Sequence, residues 1–320
     1  METLLDFVAK QAGTDTSLKI VDEGLKNCPE LTTIPARQVA GTSYFYLRHK
    51  EDDTWTAPFR KANEGTDSSE DNYERVLAQM YMLSKPIVCD KLIAEADLNG
   101  PDAHNQSKAI NEMKRLAKGI AHQVWYGDDA SSDGFAGIQK TLGTTLASAG
   151  GRVYLSDTTS GSNNTSVYIV KYGDDGVSFD LGNNSSLDVP DFKLESVKDA
   201  NGKLFQAYIS YISGWMGLRI ATVEGVMRIA NVRFEAGKDG LSDDIIADAL
   251  EYWTNGQPDA IWMNRKALNL LRKSRQVVTN QGPTGRVTSS MTHTAPPPTE
   301  SNNIPIVVTD ALVQTEAFIS

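Results

Sequence analysis

The sequence predicts an α+β fold, and three observations predict it. Asn105 to Tyr126 is one long stretch of helical periodicity. Strand-prone runs then dominate from Thr165 to Val232. Two shorter helical patterns follow late, opened by Ser242 and Asn264. Strands grouped together and helices set apart from them, without alternating strand–helix units, are the pattern of that class.

Residues 1–33 mix polar and apolar side chains around a short helical pattern, Leu4, Leu5 and Val8, and are expected to be an arm. Residues 34–66 predict a hairpin with strands Ser43–Arg48 and Thr54–Arg60 and a polar tip, His49 to Asp53. Pro58 suits an edge strand. A two-stranded hairpin is marginal alone in water, so one carrying Tyr46, Trp55 and Phe59 is expected to lie on a partner surface. Residues 73–96 form an apolar segment divided by Pro86 and are expected to be strand.

The long helix follows. Ile110, Met113, Ala117, Ile120 and Val124 recur at spacings of three and four and form one apolar stripe. Asn105 is the expected N-cap and Gly127 the expected left-handed stop. About twenty residues give a rod of roughly 30 Å. A rod with one narrow stripe is a spine that needs a sheet along one side. Residues 143–165 read as loop around one strand, Arg152–Leu155. Strands are expected in Ser166–Tyr172, Gly176–Leu181, Lys203–Trp215 and Val226–Val232. Ser242 caps a helix whose first turn holds Asp243 and Asp244, where acidic groups favour the dipole. Asp259–Met263 is a strand, Asn264 caps a second helix, 279–303 is a Pro-rich loop, and Ile304–Thr309 is a last strand.

Composition narrows the function. With 40% hydrophobic and 22% charged residues, the chain has the make-up of a globular protein with a real core. A net charge of -10 disfavours tight nucleic-acid binding through phosphate neutralisation. The start, Met1 to Lys10, lacks the basic and apolar regions of a signal peptide, so synthesis in the cytoplasm is expected. Cys28 and Cys89 are expected to be reduced thiols.

Motifs for chemistry are few. Tyr-Gly-Asp-Asp occurs at Tyr126–Asp129 and Tyr172–Asp175. Paired aspartates on a hairpin can hold two metal ions, as in template-copying polymerases. Gly and Asp are also the ordinary turn residues, and a polymerase needs a basic channel that this charge balance opposes. Asp129 to Gly134 resembles the start of a calcium loop, but its twelfth position is Lys140 where a bidentate glutamate is needed. His49, His104, His122 and His293 have no metal-ligand spacing. Arg265, Lys266, Arg272, Lys273 and Arg275 form the one basic cluster, three of them where cations offset a helix C-terminus. No catalytic, cofactor-binding or metal-binding residue is expected.

The order of parts resembles the tailed-bacteriophage major capsid protein of the Hong Kong 97 fold: an arm, an extended hairpin, a spine helix ending in a turn, a β-rich second domain and a late return strand. Local stretches resemble the epsilon-fifteen-like podovirus coat proteins. They are Ala62–Gly65, Thr165–Val170 leading to Tyr172-Gly173, Gly217–Arg219, Arg228–Val232, Trp262–Arg265, Ile304–Ile306, Thr309–Ala311 and Thr315–Ala317. The chain departs from those proteins at Phe179–Ser186, where they tend to carry a Pro-Lys-Gly turn.

The resemblance implies an arm at 1–33, an extended hairpin loop at 34–66, a peripheral domain with the spine helix at 67–142, an axial domain at 143–303 and a C-terminal return strand at 304–320. It implies hexamers and pentamers of this chain closing an icosahedral shell around double-stranded DNA. The expected subunit contacts are Tyr46, Trp55, Phe59 and Glu64. Scaffolding, portal and decoration proteins are candidate further partners, with DNA in weak contact and no membrane. Two alternatives stand beside it: a metal-dependent polymerase-like or hydrolytic enzyme using the paired aspartates, and an encapsulin-type cellular shell of the same fold.

Overall fold

A computed structural model of the chain describes residues 3, 28–49, 60–63, 65, 73–129, 134–158, 163–184, 187–234, 240–275, 277–279, 291–293 and 295–319. Its strands in chain order are β1 (Ala36–Gln38), β2 (Ser43–His49), β3 (Tyr73–Gln79), β4 (Tyr81–Asp90), β5 (Val153–Leu155), β6 (Asn164–Val170), β7 (Val177–Leu181) and β8 (Lys193–Lys198). They continue with β9 (Leu204–Ile220), β10 (Val226–Arg233), β11 (Ala260–Met263), β12 (Val277–Thr279), β13 (Met291–His293), β14 (Glu300–Ser301) and β15 (Ile304–Val308).

The spine helix runs from Pro101 to Tyr126, 26 residues and so about 39 Å. It is longer than expected because it starts at Pro101, not after Asn105. Gly100 supplies the preceding turn at φ 87° and Pro101 occupies the first helical position, where a missing N–H costs nothing. Asn105 therefore lies inside the helix, buried. The stripe is as predicted: Met113, Ala117, Ile120 and Val124 are buried, joined by Ala109 and Trp125. Gly127 does end the helix, but with extended angles, φ -54° and ψ 134°. What demands glycine there is space, since a Cβ would come within 2.5 Å of the Gln123 and Phe135 carbonyl oxygens.

Two sheets flank this helix. The first has the order β1-β7-β9-β4, with β8 also on β9. Ile87, Cys89, Phe179, Leu181, Ile212 and Met216 carry its apolar side into the core that holds the helix stripe. β4 runs unbroken through Pro86, expected to divide it. Among the described residues it is an edge strand of its sheet, the position that tolerates proline.

The second sheet has the order β14-β15-β11-β6-β10-β5, and its central strands β11, β6 and β10 are buried on both faces. The alternation of side chains along a strand divides it between two cores. Val167 and Ile169 face the helices Asp243–Leu250 and Arg265–Ser274, whereas Tyr168 and Val170 face the spine helix. Trp125 at the end of the spine packs on Tyr168 and Trp262, with ring centroids 4.9 and 5.3 Å away. Both predicted caps form: Ser242 accepts from the Ile245 amide and Asn264 from the Ala267 amide.

Three expectations on organisation are corrected. The partner of β2 is β3, in the register Ser43↔Gln79 to His49↔Tyr73. The strand expected at 54–60 lies outside the described residues but for Arg60, which is not in a strand. β3 lies farther along the chain than the short connections that join most hairpins. The region 143–303 is not one unit either, because β7, β8 and β9 pair into the first sheet with β1 and β4. The stretch 279–303, expected as loop, contains β13, which pairs with β12, and β14.

Candidate assembly surfaces

The β2–β3 hairpin is clamped to the body at its base. Asp180 on β7 is 1% exposed and receives the Arg37 Nε at 2.5 Å and the Tyr44 hydroxyl at 2.5 Å. Arg37 also donates to the Tyr44 oxygen. One step up, the Tyr46 hydroxyl donates to the Ile220 carbonyl at 2.9 Å, and the Arg219 guanidinium stands over its ring at 5.1 Å. Burial pushes both tyrosine hydroxyls above their usual range, and the bond to Asp180 pushes Tyr44 further.

Alternation then dictates the other side. Tyr44 and Tyr46 face the body, so Phe45, Leu47 and, across from Phe45, Leu77 face outward. They are 56, 66 and 49% exposed. Arg75 caps the strip, its guanidinium 3.8 Å from the Phe45 ring centroid.

Of the expected contact residues, Tyr46 is thus held by its own chain. Trp55, Phe59 and Glu64 lie outside the described residues. Phe45, Leu47 and Leu77, one register step away, are the exposed apolar residues of the hairpin. The sequence shows the alternation but not which phase faces out; the buried Asp180 acceptor decides that.

The motifs resolve into structure. The second Tyr-Gly-Asp-Asp joins β6 to β7, which sit in different sheets, so it is a crossing between layers and not a hairpin tip. Tyr172 accepts from the Trp262 indole at 2.8 Å, and Asp174 is exposed with Arg219 3.9 Å away. At the first copy, Lys140 donates to both Asp128 and Asp129, so the residue that spoils the calcium-loop pattern neutralises these carboxylates. Among the described residues no group of three or more His, Cys, Asp or Glu is placed to hold a metal. The basic cluster is engaged too: Arg265 pairs with Asp310 at 2.8 Å and Arg275 with Asp243 at 2.6 Å. Cys28 and Cys89 are buried free thiols, and burial pushes Cys28 up to about 11. A cleft of about 450 Å³ opens between β4 and the spine, lined by Tyr81, Leu83, Leu116, Ile120 and Phe135. Of the charged groups at its rim, Glu112 and Arg115 pair with each other at 3.1 Å.

A second polar centre fastens the C-terminal segment. Glu316 receives the buried Arg228 guanidinium at 2.7 Å and the Ser166 hydroxyl on one oxygen, and the Tyr126 hydroxyl at 2.5 Å on the other. Its amide donates to the Asn164 carbonyl at 2.9 Å. Asn231, at φ 59° in a bulge of β10, grips the Ile319 amide at 3.0 Å and carbonyl at 2.7 Å. The segment ties the second sheet to the end of the spine.

A spine helix on a long sheet, a clamped hairpin and a second, two-faced sheet make up the fold of tailed-bacteriophage capsid proteins of the Hong Kong 97 type. The chain belongs to the major capsid protein GP7 family, whose model matches residues 53–320. It is similar to the bacteriophage Epsilon15 structure, at 19% identity over 90% of this chain and 88% of that one, with a TM-score of 0.63. It is also similar to the bacteriophage JBD30 capsid, at 10% identity over 88% of this chain and 90% of that one, with a TM-score of 0.50. The JBD30 capsid decorated with minor capsid protein trimers matches at 8% identity over 95% and 97%, with a TM-score of 0.51. No curated protein matches. The chain is a tailed-phage major capsid protein, a structural component of the virion, and the family match favours the phage over the cellular-shell reading.

Proposed function

We propose that copies of this chain assemble into hexamers and pentamers that close an icosahedral head around double-stranded DNA, with a structural and not a catalytic role. The observation that carries it is the hairpin's outward strip of Phe45, Leu47 and Leu77, exposed while the opposite face is bonded to the body. An apolar strip held rigidly and left uncovered among the described residues is an interaction surface. In this reading it lies on the neighbouring copy within a ring, with Trp55, Phe59 and Glu64 extending the contact. The spine and first sheet form the peripheral part, the second sheet with its two helices the axial part. A net charge of -10 supports a container along whose wall DNA slides without sticking. Scaffolding, portal and decoration proteins are the further partners this role invites, and synthesis in the host cytoplasm fits it.

The test is electron microscopy and sedimentation of the purified chain. Rings or closed shells are expected. A monodisperse monomer of 34.9 kDa at every concentration and salt contradicts the proposal.

A further inference from the structure

The hairpin leans on one end of β9, through Ile220; β8 pairs with the other end, Leu204–Ile209. β9 has 17 residues, so the two ends are roughly 50 Å apart. This far end is apolar and uncovered among the described residues. Leu92, Ile93 and Leu98 are 76, 62 and 102% exposed, and Leu194 and Leu204 are 47 and 69% exposed. Lys91 donates to Gln206 at 3.2 Å, which places the short helix Lys91–Glu95 at the same end.

β8 is itself an edge. It pairs with β9 on one side, and no described strand pairs with the other. All of Lys193–Lys198 is exposed except Val197, which is partly buried. An unpaired edge of that length is a template for another strand, unless its charges serve only to keep partners off. The spacing of those charges distinguishes the two. Laid antiparallel on a second copy with Leu194 opposite Leu194, Lys193 faces the other copy's Glu195 and Glu195 faces its Lys193. A register centred on Glu195 opposes two glutamates, and one centred between Glu195 and Ser196 opposes Lys193 to Lys198 twice. A register centred between Ser196 and Val197 also opposes unlike charges, but it leaves Leu194 against Asp199. The Leu194 register alone combines two Lys–Glu pairs with an apolar pair, so the Lys193–Glu195 part of the edge is complementary to itself.

A contact repeated head to tail, as the hairpin makes, closes rings or runs into filaments; a closed shell needs a second contact that joins rings. We propose that β8 is that contact. Two copies from neighbouring rings join their β8 edges antiparallel across a two-fold axis at Leu194, merging two sheets into one. This rests on the shell-building reading above.

Cross-linking of full-length variants tests it. Directly opposed residues in an antiparallel pair have Cβ atoms about 4.5–5.5 Å apart, close to disulfide reach. Leu194→Cys in assembled particles, mildly oxidised, is expected to run as a dimer without reductant. Ser196→Cys, roughly 13 Å from its mate in this register, is expected to stay monomeric. The native thiols are buried and give little background. Leu194→Cys that stays monomeric in intact particles, or Ser196→Cys that cross-links as fully, overturns the proposal. Charge exchange gives a second reading. Glu195→Lys should weaken the seam about tenfold by opposing two lysine pairs, leaving rings in place of shells. Adding Lys193→Glu should restore shells. A Glu195→Lys protein that assembles like the wild type, or a double variant no better than the single one, also overturns it. A wild-type chain that forms no particles fails earlier, at the shell-building reading, and takes the seam with it.

Discussion

The hairpin and the C-terminal segment are both laid over the body and held by a buried carboxylate, yet they end differently. At the C-terminus, Glu316 and Asn231 fasten the backbone while Leu312 enters the core beside them, so polar anchors and apolar cover point to one surface. In the hairpin they point to opposite faces. Tyr44 and Tyr46 bond inward, and Phe45, Leu47 and Leu77 are left outside. The first arrangement completes a subunit. The second fixes the angle of a surface that, in the proposed assembly, meets another one. The rigid clamp matters because a strip presented in one orientation loses little freedom on association.

Breaking the anchors should separate the two. Glu316→Ala leaves the buried Arg228 without its counter-charge, and removing one partner of such a pair costs about 3–5 kcal/mol. Thermal melting should show the largest loss here, partly recovered in Arg228→Met/Glu316→Leu, where no charge is stranded. A small loss would mean that the C-terminal segment is not part of the core. Tyr44→Phe removes one hydroxyl from the hairpin clamp but leaves the Arg37–Asp180 pair. It should cost about 1–2 kcal/mol, with faster amide exchange confined to β2 and β3. Uniform loosening of the whole chain would deny that the clamp is local. Asp243→Asn should have the smallest effect, at most about 1 kcal/mol at neutral pH because the Arg275 pair is partly solvated. Arg275 holds the Asp243 carboxyl below its ordinary 3.8, so this stabilisation is present above that value and lost as pH falls through the lowered one. Melting curves of variant and wild type should therefore converge in acid.

Most of the fold was legible because period and punctuation are local. The Met113–Val124 stripe, the Ser242 and Asn264 caps and the strands β6, β7, β9 and β10 follow from residues a few positions apart. Pairing was less so. That β2 finds β3, and that β7 and β9 leave the second sheet for the first, depends on contacts between distant residues that no local pattern encodes. β8 gave no signal, since a strand exposed on both faces carries no apolar alternation. For the surface, the aromatic richness of the hairpin was visible, but its phase was not. Nothing nearby in sequence announces Ile220 or Arg219 as the intrachain partners of Tyr46.

The central claim is that the two faces of the hairpin serve different molecules, and Leu47→Arg tests it most directly. Leu47 is 66% exposed and its side chain points away from the clamp. Melting and particle yield are measured on the same preparation. The variant should melt within about 0.5 kcal/mol of wild type, as exposed substitutions do, and form no shells. A variant that assembles normally, or one that unfolds as readily as Glu316→Ala, contradicts the claim.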